Sequence, residues 1–511
     1  MAEVDQAAVI DFLSDGKSYG EPGERPKRID THISIVFIVG DSVYKLKRAV
    51  RFSYLDYSTV AARARFCRAE LELNRRTAPG LYRGVRSITR KPEGGLEWDG
   101  PGELADCVVE MERFDERELF DHLASDGRLT RAHMVRLADA IAGFHAAATI
   151  APGFGGAQGL ADVIEDNYVN IASSGGRLEL QAIDGLHAAC CAELMRVREL
   201  LDARRANGRV RRCHGDLHLR NICLFRGEPT LFDCIEFNDA FSCVDVLYDL
   251  AFLLMDLEHC KLRALGNLLL NRYLDRTDDI AGIAALPLLL SVRACVRAKV
   301  AAASVAVQPE ALTDARAYLE LAAALMKPER PSLIAIGGFS GTGKSTVARG
   351  LAPDFAPAPG ARVVHSDVLR KSLMGVAPET RLQAAAYRRE ISEQVYRLLR
   401  EQASAVLTAG YTAIVDATFT DQAARDSIAA VAARAGVPFV GLWLAAPEAV
   451  LADRVAARRD DASDADLAVL RNQLKIGAGP ITWTRVDTSG DAEASLAAAR
   501  LGMQQKIAGR R

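Results

Sequence analysis

The sequence predicts two successive folds: a mixed α+β domain with a small β-rich lobe and a larger helical lobe, then an α/β domain whose parallel sheet is covered by helices on both faces. Strand and turn signals dominate the first 110 residues, whereas Ala and Leu recur at helical spacing from about residue 129. After residue 333, strand and helix signals alternate, which is typical of a parallel sheet. Segment 326–332 places two prolines among charged residues, so we predict a linker there between domains at 1–325 and 333–511.

Composition and charge set the broad class. Hydrophobic residues make up 49% of the 511 residues and charged residues 25%, as in ordinary globular domains. The net charge of −2 provides no overall field toward nucleic acid or membranes. The N-terminus lacks a signal-peptide pattern, and the apolar stretch 283–292 is too short to span a bilayer, so we expect a buried helix there. Ten cysteines, none in a C-x-x-C pair, favour buried thiols in a reducing compartment, and we expect a cytoplasmic protein.

The elements of the first domain follow from local pattern. Residues 33–39 and 42–47 are rich in β-formers, and the Gly40-Asp41 pair between them is typical of a hairpin turn. A helix is predicted at 59–76 and a short apolar strand at 108–111. Helices follow to about 205, two short strands lie around 222–233, and helices resume to about 325.

The second domain begins with an apolar strand at 333–336 and a helix from Lys344. Each later strand signal is likewise followed by a helical one. The predicted strands are 362–365, 413–415, 438–444 and 486–487.

A glycine-rich loop stands between the first strand and helix of the second domain. Gly338-Phe-Ser-Gly-Thr-Gly-Lys-Ser345 fits G-x-x-x-x-G-K-[ST], in which backbone N–H groups cradle phosphates, the lysine reaches the β- and γ-phosphates, and the serine ligates Mg²⁺. We therefore predict that this domain binds ATP and Mg²⁺. The predicted contacts are Gly338, Gly341, Thr342, Gly343, Lys344, Ser345 and Thr346.

Charged residues follow the next two strands, at the edge where an open α/β sheet binds its ligand. Asp367 can accept the proton of an attacking hydroxyl, although a helix N-cap is the alternative. Arg370 lies on the same helical face and can hold an anionic group. Asp416 is a candidate for the magnesium shell or for contact with substrate, and an N-cap or turn aspartate is again the alternative. Arg454 and Arg458, one helical turn apart, can close over transferring phosphates, with a solvated charged helix as the alternative.

These motifs make residues 333–511 resemble the P-loop kinases that phosphorylate hydroxyls. The resemblance is closest to the group of polynucleotide 5′-hydroxyl kinases, zeta-toxin-like kinases and chloramphenicol phosphotransferase-like enzymes. It implies that Asp367 is the catalytic base, that Arg370 contacts substrate, and that Arg454 and Arg458 are lid residues.

A second constellation lies in the first domain. His214-Gly-Asp-Leu-His-Leu-Arg-Asn221 fits H-x-D-x-x-x-x-N, in which the aspartate accepts the hydroxyl proton and the asparagine holds magnesium. Asp216 and Asn221 take these positions. Two short strands follow, and Asp233 comes directly after them, at the position of the second carboxylate that binds magnesium in kinases.

Gly215 stands where protein kinases have arginine, and Asp233 is not followed by Phe-Gly. Residues 30–325 instead resemble the aminoglycoside and choline phosphotransferase group, which acts on small molecules. The resemblance implies a phosphate-binding lysine at Lys45 or Lys47, which share one strand face, and we favour Lys45. It implies that Glu70 is the ion-pair partner of this lysine.

The leading hypothesis is a bifunctional ATP-dependent kinase in which each domain transfers the γ-phosphoryl group to a hydroxyl, with a small molecule as the favoured acceptor. In one alternative, one domain binds ATP only to regulate the other. In another, the second domain phosphorylates 5′-hydroxyl ends of nucleic acid, which ranks lower because no dense Lys/Arg–aromatic pattern accompanies it. No membrane partner is predicted.

Overall fold

The computed structural model describes residues 2–21, 23, 25–52, 54–173, 178–305, 308–457 and 463–508. They form two compact units, the first of Met1–Val163 and Leu201–Asp256 and the second of Ile164–Leu200 and Leu257–Arg511. The segment 326–332 thus lies inside the second unit. The domain limits 1–325 and 333–511 remain a prediction.

The first unit is built on a six-stranded antiparallel sheet of order β1-β2-β3-β8-β6-β7. The strands up to residue 245 are β1 (Lys27–Asp30), β2 (Ser34–Val39), β3 (Ser42–Lys47), β4 (Arg51–Phe52), β5 (Leu55–Asp56), β6 (Tyr82–Arg90), β7 (Leu96–Trp98), β8 (Leu104–Glu112), β9 (Val210–Arg212), β10 (Ile222–Phe225), β11 (Glu228–Leu231) and β12 (Cys243–Asp245). The helices up to residue 259 are α1 (Ala2–Ser14), α2 (Val60–Asn74), α3 (Phe120–Ser125), α4 (Arg131–Ala147), α5 (Gly156–Ala172), α6 (Leu180–Ala206), α7 (Asp239–Ser242) and α8 (Val246–His259). Parts of α5, α6 and α8 belong to the second unit.

The predicted hairpin is confirmed as β2 and β3, which turn at Gly40 with a φ of 52°. Helix α2 is confirmed as well, and the Thr59 side chain caps it by accepting a hydrogen bond from Ala62 N. Helix α1 and strand β6 were not predicted. Val9 and Leu13 of α1 are buried in one core of the sheet, so this helix is part of the fold.

The second unit contains a five-stranded, all-parallel sheet of order β14-β15-β13-β16-β17. Its strands are β13 (Leu333–Gly337), β14 (Arg362–His365), β15 (Ala413–Asp416), β16 (Phe439–Ala445) and β17 (Thr484–Asp487). The helices after residue 259 are α9 (Arg263–Thr277), α10 (Leu286–Ser304), α11 (Ala311–Leu325), α12 (Lys344–Leu351), α13 (Ser366–Leu373), α14 (Arg389–Thr408), α15 (Gln422–Ala435), α16 (Glu448–Ala456), α17 (Leu467–Ile476) and α18 (Ala492–Ala508).

Helices α12 and α18 pack on each other and on this sheet, and so do α14 and α15, which confirms the predicted α/β class. The apolar core between the sheet and its first helix includes Ile336, Val347 and Leu442. Because the strands are parallel, the ends of β13, β14 and β15 meet at one edge.

The apolar stretch predicted to be a buried helix lies in 281–304. By length and composition alone this segment could cross a membrane, but 72% of its most apolar window is buried in the protein. Residues of the second unit cover it, as the packing of α10 against α11 shows.

Candidate active sites

The predicted catalytic loop of the first unit begins just after β9, at His214. Gly215 has a φ of 86°, a left-handed conformation that glycine adopts without steric cost. A Cβ atom at this position would lie 2.8 Å from the carbonyl oxygen of Phe241 and 3.2 Å from Ser242 Cα. The arginine that protein kinases carry here therefore has no room.

Asp249 of helix α8 holds this loop by its backbone. Its Oδ2 accepts a hydrogen bond from His214 N at 3.1 Å, and its Oδ1 accepts one from Gly215 N at 2.8 Å. The His145 imidazole lies 3.1 Å from the same carboxylate. Asp249 is fully buried, so its charge is balanced by these groups and not by solvent.

The candidate base Asp216 and the candidate metal ligand Asn221 are brought together by the structure. Asn221 Nδ2 donates to Asp216 O at 2.9 Å and to Asp216 Oδ2 at 3.0 Å. His218 Nε2 lies 3.3 Å from Asp216 Oδ2. The Asp216 carboxylate is about one-third exposed and open to an acceptor.

Asp233 follows β11 and meets the lysine predicted from the sequence. Lys45 Nζ lies 2.5 Å from Asp233 Oδ1 and 2.8 Å from Glu70 Oε1, so Lys45 and Glu70 form the expected pair. Asp233 has a φ of 64°, a strained conformation for a residue with a Cβ, and Tyr82 OH accepts a hydrogen bond from its backbone N–H. Strain held by the surrounding fold is a common feature of functional sites.

Lys47, the alternative lysine, belongs to the same network but lies deeper. It is 1% exposed and pairs with Glu70 Oε2 at 2.6 Å and with Glu236. Tyr57 OH donates to Glu236 at 2.5 Å. Burial disfavours the charge on Glu70, but the two lysines outweigh it and lower the pKa of Glu70 to about 2. Asp233 is far more exposed than Glu236, which leaves Lys45 as the lysine near the open cleft.

The oxygen atoms at this site suit a hard cation. Asp233 is partly exposed, and Asn221 uses its Nδ2 in the hydrogen bonds to Asp216, which leaves its amide oxygen without a described partner. Carboxylate and amide oxygens are the groups that bind Mg²⁺ in proteins. Asn221 and Asp233 therefore fit the predicted metal role.

The glycine-rich loop of the second unit has the conformation that a phosphate cradle needs. Gly338, Gly341 and Gly343 have φ values of 146°, 88° and 83°. A Cβ on Gly338 would lie 2.6 Å from Leu444 O, and one on Gly341 would lie 2.7 Å from Leu451 O. Helix α12 begins at Lys344, whose Nζ donates to Phe339 O at 3.0 Å, so the lysine folds back over the loop.

Asp416, at the end of β15, joins the loop to the neighbouring strand. Its Oδ2 accepts a hydrogen bond from Ser345 Oγ at 2.5 Å and lies 2.8 Å from His365 Nδ1. Burial opposes its ionisation, but His365, Lys344 and Ser345 outweigh burial and lower the pKa of Asp416. An ionised carboxylate beside Ser345 fits the magnesium-shell alternative for Asp416.

Asp367, in the first turn of α13, is the candidate base. Burial and the negative charge of Asp416 raise its pKa above the ordinary value, although Lys344, a hydrogen bond from Ser463 and Arg370 act in the opposite direction. A raised carboxylate pKa suits general base catalysis near neutral pH.

Arg370 is 7% exposed, and no carboxylate of the described residues forms an ion pair with it. Its Nη1 donates to Ala386 O at 2.8 Å and to Ser392 Oγ at 3.3 Å, and its guanidinium group lies 4.7 Å from the centre of the Tyr387 ring. Its Nε is buried without a hydrogen-bond partner. A buried cation of this kind is suited to an anionic ligand.

Arg454 also reaches this cavity, but its guanidinium group donates to backbone carbonyls. Its Nη1 lies 2.8 Å from Thr488 O and its Nη2 lies 2.5 Å from Gly490 O. Arg458 lies outside the described residues, so the lid pair remains a prediction.

Sequence reasoning missed Tyr387 and Asp464, which also line the cavity, and the groups that bind Asp464. Asp464 accepts hydrogen bonds from Leu382 N at 3.0 Å and Tyr387 OH at 2.7 Å, and Lys371 Nζ lies 3.3 Å away. No local motif marks these residues, because they come from three separate segments. The cavity measures about 510 Å³, and its lining includes Gly341, Lys344, Asp367, Arg370, Asp416 and Arg454.

Comparisons with known proteins find matches to both parts of the chain. The phosphotransferase enzyme family matches residues 58–286, and an AAA domain family matches residues 333–477. A choline/ethanolamine kinase family protein from Mesorhizobium loti is 13% identical, covers 62% of this chain and 94% of its own, and has a TM-score of 0.35. A gluconokinase from Sinorhizobium meliloti is 21% identical, covers 35% of this chain and 94% of its own, and has a TM-score of 0.26.

Two relatives match almost the whole chain. Uncharacterized proteins of Mycobacterium bovis and Mycobacterium tuberculosis are each 30% identical over 476 residues, which is 91% of this chain and 93% of theirs. The match runs through the residues of both family matches. The chain therefore belongs to the same family as these mycobacterial proteins, and it is an ATP-dependent kinase with a phosphotransferase-family domain followed by a P-loop kinase domain.

Proposed function

We propose that the chain is a bifunctional phosphotransferase in which each domain transfers the γ-phosphoryl group of ATP to a hydroxyl of a small molecule. The observation that carries the proposal is that each unit separately brings together a carboxylate suited to act as a base, a lysine suited to bind phosphate, and oxygen groups suited to bind a cation. In the first unit these are Asp216, Lys45 and the Asn221–Asp233 pair. In the second they are Asp367, Lys344 and the Ser345–Asp416 pair. A domain kept only as a regulator has no need of a base.

At the first site, the Asp216 carboxylate accepts the proton of the acceptor hydroxyl as its oxygen attacks the γ-phosphorus. The bond from that phosphorus to the β–γ bridging oxygen breaks, and ADP leaves. Lys45, oriented by Glu70 at 2.8 Å, donates hydrogen bonds to phosphate oxygens. Asn221 and Asp233 would hold a magnesium ion, which would neutralise charge on the phosphates.

At the second site, Asp367 has the base role and the loop from Gly338 to Ser345 holds the phosphates. The backbone N–H groups and the start of α12 offer partial positive charge to the β-phosphate. Asp416 fixes Ser345 through the 2.5 Å hydrogen bond, which orients the hydroxyl that would ligate magnesium. The reaction is the same displacement, with a different acceptor.

Arg370 indicates which acceptors the second site accepts. A guanidinium group that is 7% exposed and without a carboxylate partner in the described residues favours a substrate that brings its own negative charge. We therefore propose a hydroxyl-bearing acceptor with a carboxylate or phosphate group for this domain.

The test is a screen of metabolite pools with γ-labelled ATP, using the full chain and three variants. Asp216→Asn keeps the shape of the first base and removes its charge, and Lys344→Met removes the phosphate-binding lysine of the second site. Lys327→Met is the matched control, since Lys327 is exposed and lies between the domains of the family matches. We expect Asp216→Asn to lower labelling of one acceptor by about 10²–10⁴-fold and Lys344→Met to abolish labelling of another.

The outcomes separate the candidate functions. Loss of all labelling in either single variant would contradict two independent sites. Acceptor-independent ATP consumption that depends on Lys344 would favour the regulatory alternative. Label on an oligonucleotide with a 5′-hydroxyl end would favour the polynucleotide kinase alternative.

A further inference from the structure

Helix α9 lies along the outer edge of the parallel sheet. Strand β14 is the edge strand, and it pairs with β15 on one side only, where Arg362 N donates to Thr412 O at 3.0 Å. The other side of an edge strand presents unpaired backbone N–H and C=O groups, which proteins generally cover or protect. Here the cover is a row of polar side chains from α9.

Asn271 forms the centre of this row. Its Oδ1 accepts a hydrogen bond from Val363 N at 2.8 Å, and its Nδ2 donates to Ala361 O at 3.1 Å. The side-chain amide thus makes the two bonds that the peptide groups of an adjacent strand would make. Asn267 Nδ2 donates to the same Ala361 oxygen at 3.0 Å.

Arg362 links strand β14 to the next turn of helix α9. Its Nη2 lies 2.6 Å from Asp275 Oδ1, and its Nη1 donates to Asn271 O at 3.1 Å. Asn267, Asn271 and Asp275 are four residues apart and so share one face of α9. Asn271 is 9% exposed and Arg362 is 4% exposed, so the contact is part of the interior and not a surface association.

The strand held in this way leads directly into the candidate active site. Strand β14 ends at His365, which contacts Asp416, and α13 then carries Asp367 and Arg370. The glycine-rich loop follows β13, which β15 separates from β14. A change in the position of β14 is therefore expected to displace the base and the anion-binding residue before it disturbs the ATP-binding loop.

Helix α9 falls within the residues matched by the phosphotransferase family and outside those matched by the AAA domain. We propose that Asn271 and Asp275 are positioning residues of the P-loop site, which set the location of Asp367 through strand β14. A helix that lies in the sequence of the preceding domain thus forms part of the structure of the P-loop kinase domain. This inference rests on the proposed function of the P-loop site.

The test uses the full chain with Asp216→Asn to silence the first site. Asn271→Leu removes both hydrogen bonds to the strand at similar side-chain size, and Asp275→Asn is the milder variant. Gln402→Ala is the matched control, because it removes the 2.9 Å bond from α14 to Asp278 just beyond the end of α9, and Gln402 forms no hydrogen bond with β14 among the described residues. Three quantities are measured: ATP hydrolysis with water as acceptor, the Kd of a fluorescent ATP analogue, and hydrogen exchange of peptides from 333–351 and 362–371.

We expect Asn271→Leu to lower kcat at least about tenfold while the Kd of the analogue changes less than about twofold, since small displacements of a catalytic group have large rate effects. Exchange should become faster in 362–371 and stay unchanged in 333–351. Asp275→Asn should lower kcat and raise exchange in 362–371 to a smaller extent. It provides the test if Asn271→Leu does not fold. Gln402→Ala should match the parent chain in all three quantities.

Faster exchange that stops at Val363 and does not reach 366–371 overturns the proposal, and so does an unchanged kcat. An equal loss in kcat and in analogue binding overturns it too, because that is the result of general destabilisation. If adding Lys344→Met to the parent chain leaves its hydrolysis unchanged, the proposed function of the P-loop site fails, and the exchange measurements alone then decide whether α9 positions the strand.

Discussion

The buried carboxylate of Glu70 provides a direct test of the electrostatics of the first unit. It is 0% exposed, and its two oxygens lie 2.8 Å from Lys45 Nζ and 2.6 Å from Lys47 Nζ. The substitution Glu70→Gln keeps the shape of the neutral form and removes the charge. Any loss of stability then reports the pairing of that charge with the two lysines.

The magnitude follows from the pKa. The two lysines overcome burial and lower the pKa of Glu70 from its ordinary 4.5 to about 2. Since each tenfold change in proton affinity is worth about 1.4 kcal/mol, ionised Glu70 contributes about 3 kcal/mol. The lowered pKa means that this stabilisation is fully present above about pH 4.5 and is lost as the pH falls toward 2. We therefore expect Glu70→Gln to cost about 3 kcal/mol at pH 7 and almost nothing near pH 2.

The assay is urea unfolding at several pH values, followed by pulse-labelling hydrogen exchange on peptides from 34–74, which report the first unit. Glu72→Gln is the matched control, because Glu72 lies on the same helix and is exposed. A loss below about 1 kcal/mol at pH 7 would refute the reasoning, as would a pH dependence equal to that of the control.

Two further predictions concern catalysis at each site. Burial and Asp416 raise the pKa of Asp367, so turnover at the P-loop site should fall as the pH decreases through a value above the ordinary pKa of 3.8. The residual turnover of Asp367→Asn should lack this decrease at low pH. A decrease in turnover with its midpoint at or below pH 3.8 would contradict the assignment of Asp367 as the base. Gly215→Ala should lower turnover of the first site at least about tenfold, because it adds a left-handed alanine and a Cβ 2.8 Å from Phe241 O. Gly227→Ala is its control, since Gly227 has a φ of 83° but nothing within 4 Å of the added atom, and an equal effect of the two variants on turnover would show that the contact is irrelevant.

The parts of the sites that could be predicted are those with local signatures. The glycine-rich loop and the segment from His214 to Asn221 each place their functional groups within eight residues, so the backbone conformation of one turn fixes their geometry. The alternation of strands and helices predicted the parallel sheet, and through it the meeting of Asp367 and Asp416 at one edge.

The remaining contacts depend on tertiary structure. Strand periodicity placed Lys45 and Lys47 on one face, but only the fold shows that both bind Glu70 and that Glu236, 189 residues away, takes the second lysine. The helical spacing placed Arg454 and Arg458 on one face, but it did not show that the Arg454 guanidinium group, which lines the cavity, donates to the carbonyls of Thr488 and Gly490. A periodic pattern identifies a face of an element but not the partner that the face meets.

The amide pairing between Asn271 and strand β14 bears on how the gene could be divided or recombined. A break at the proline-rich segment 326–332 would preserve every recognisable motif of the P-loop kinase. It would also separate Ala361 O and Val363 N from the side chain that pairs them, and expose an open strand edge to other chains. Selection against aggregation would then favour inheritance of the two domains as a single gene, independently of the reactions of the chain.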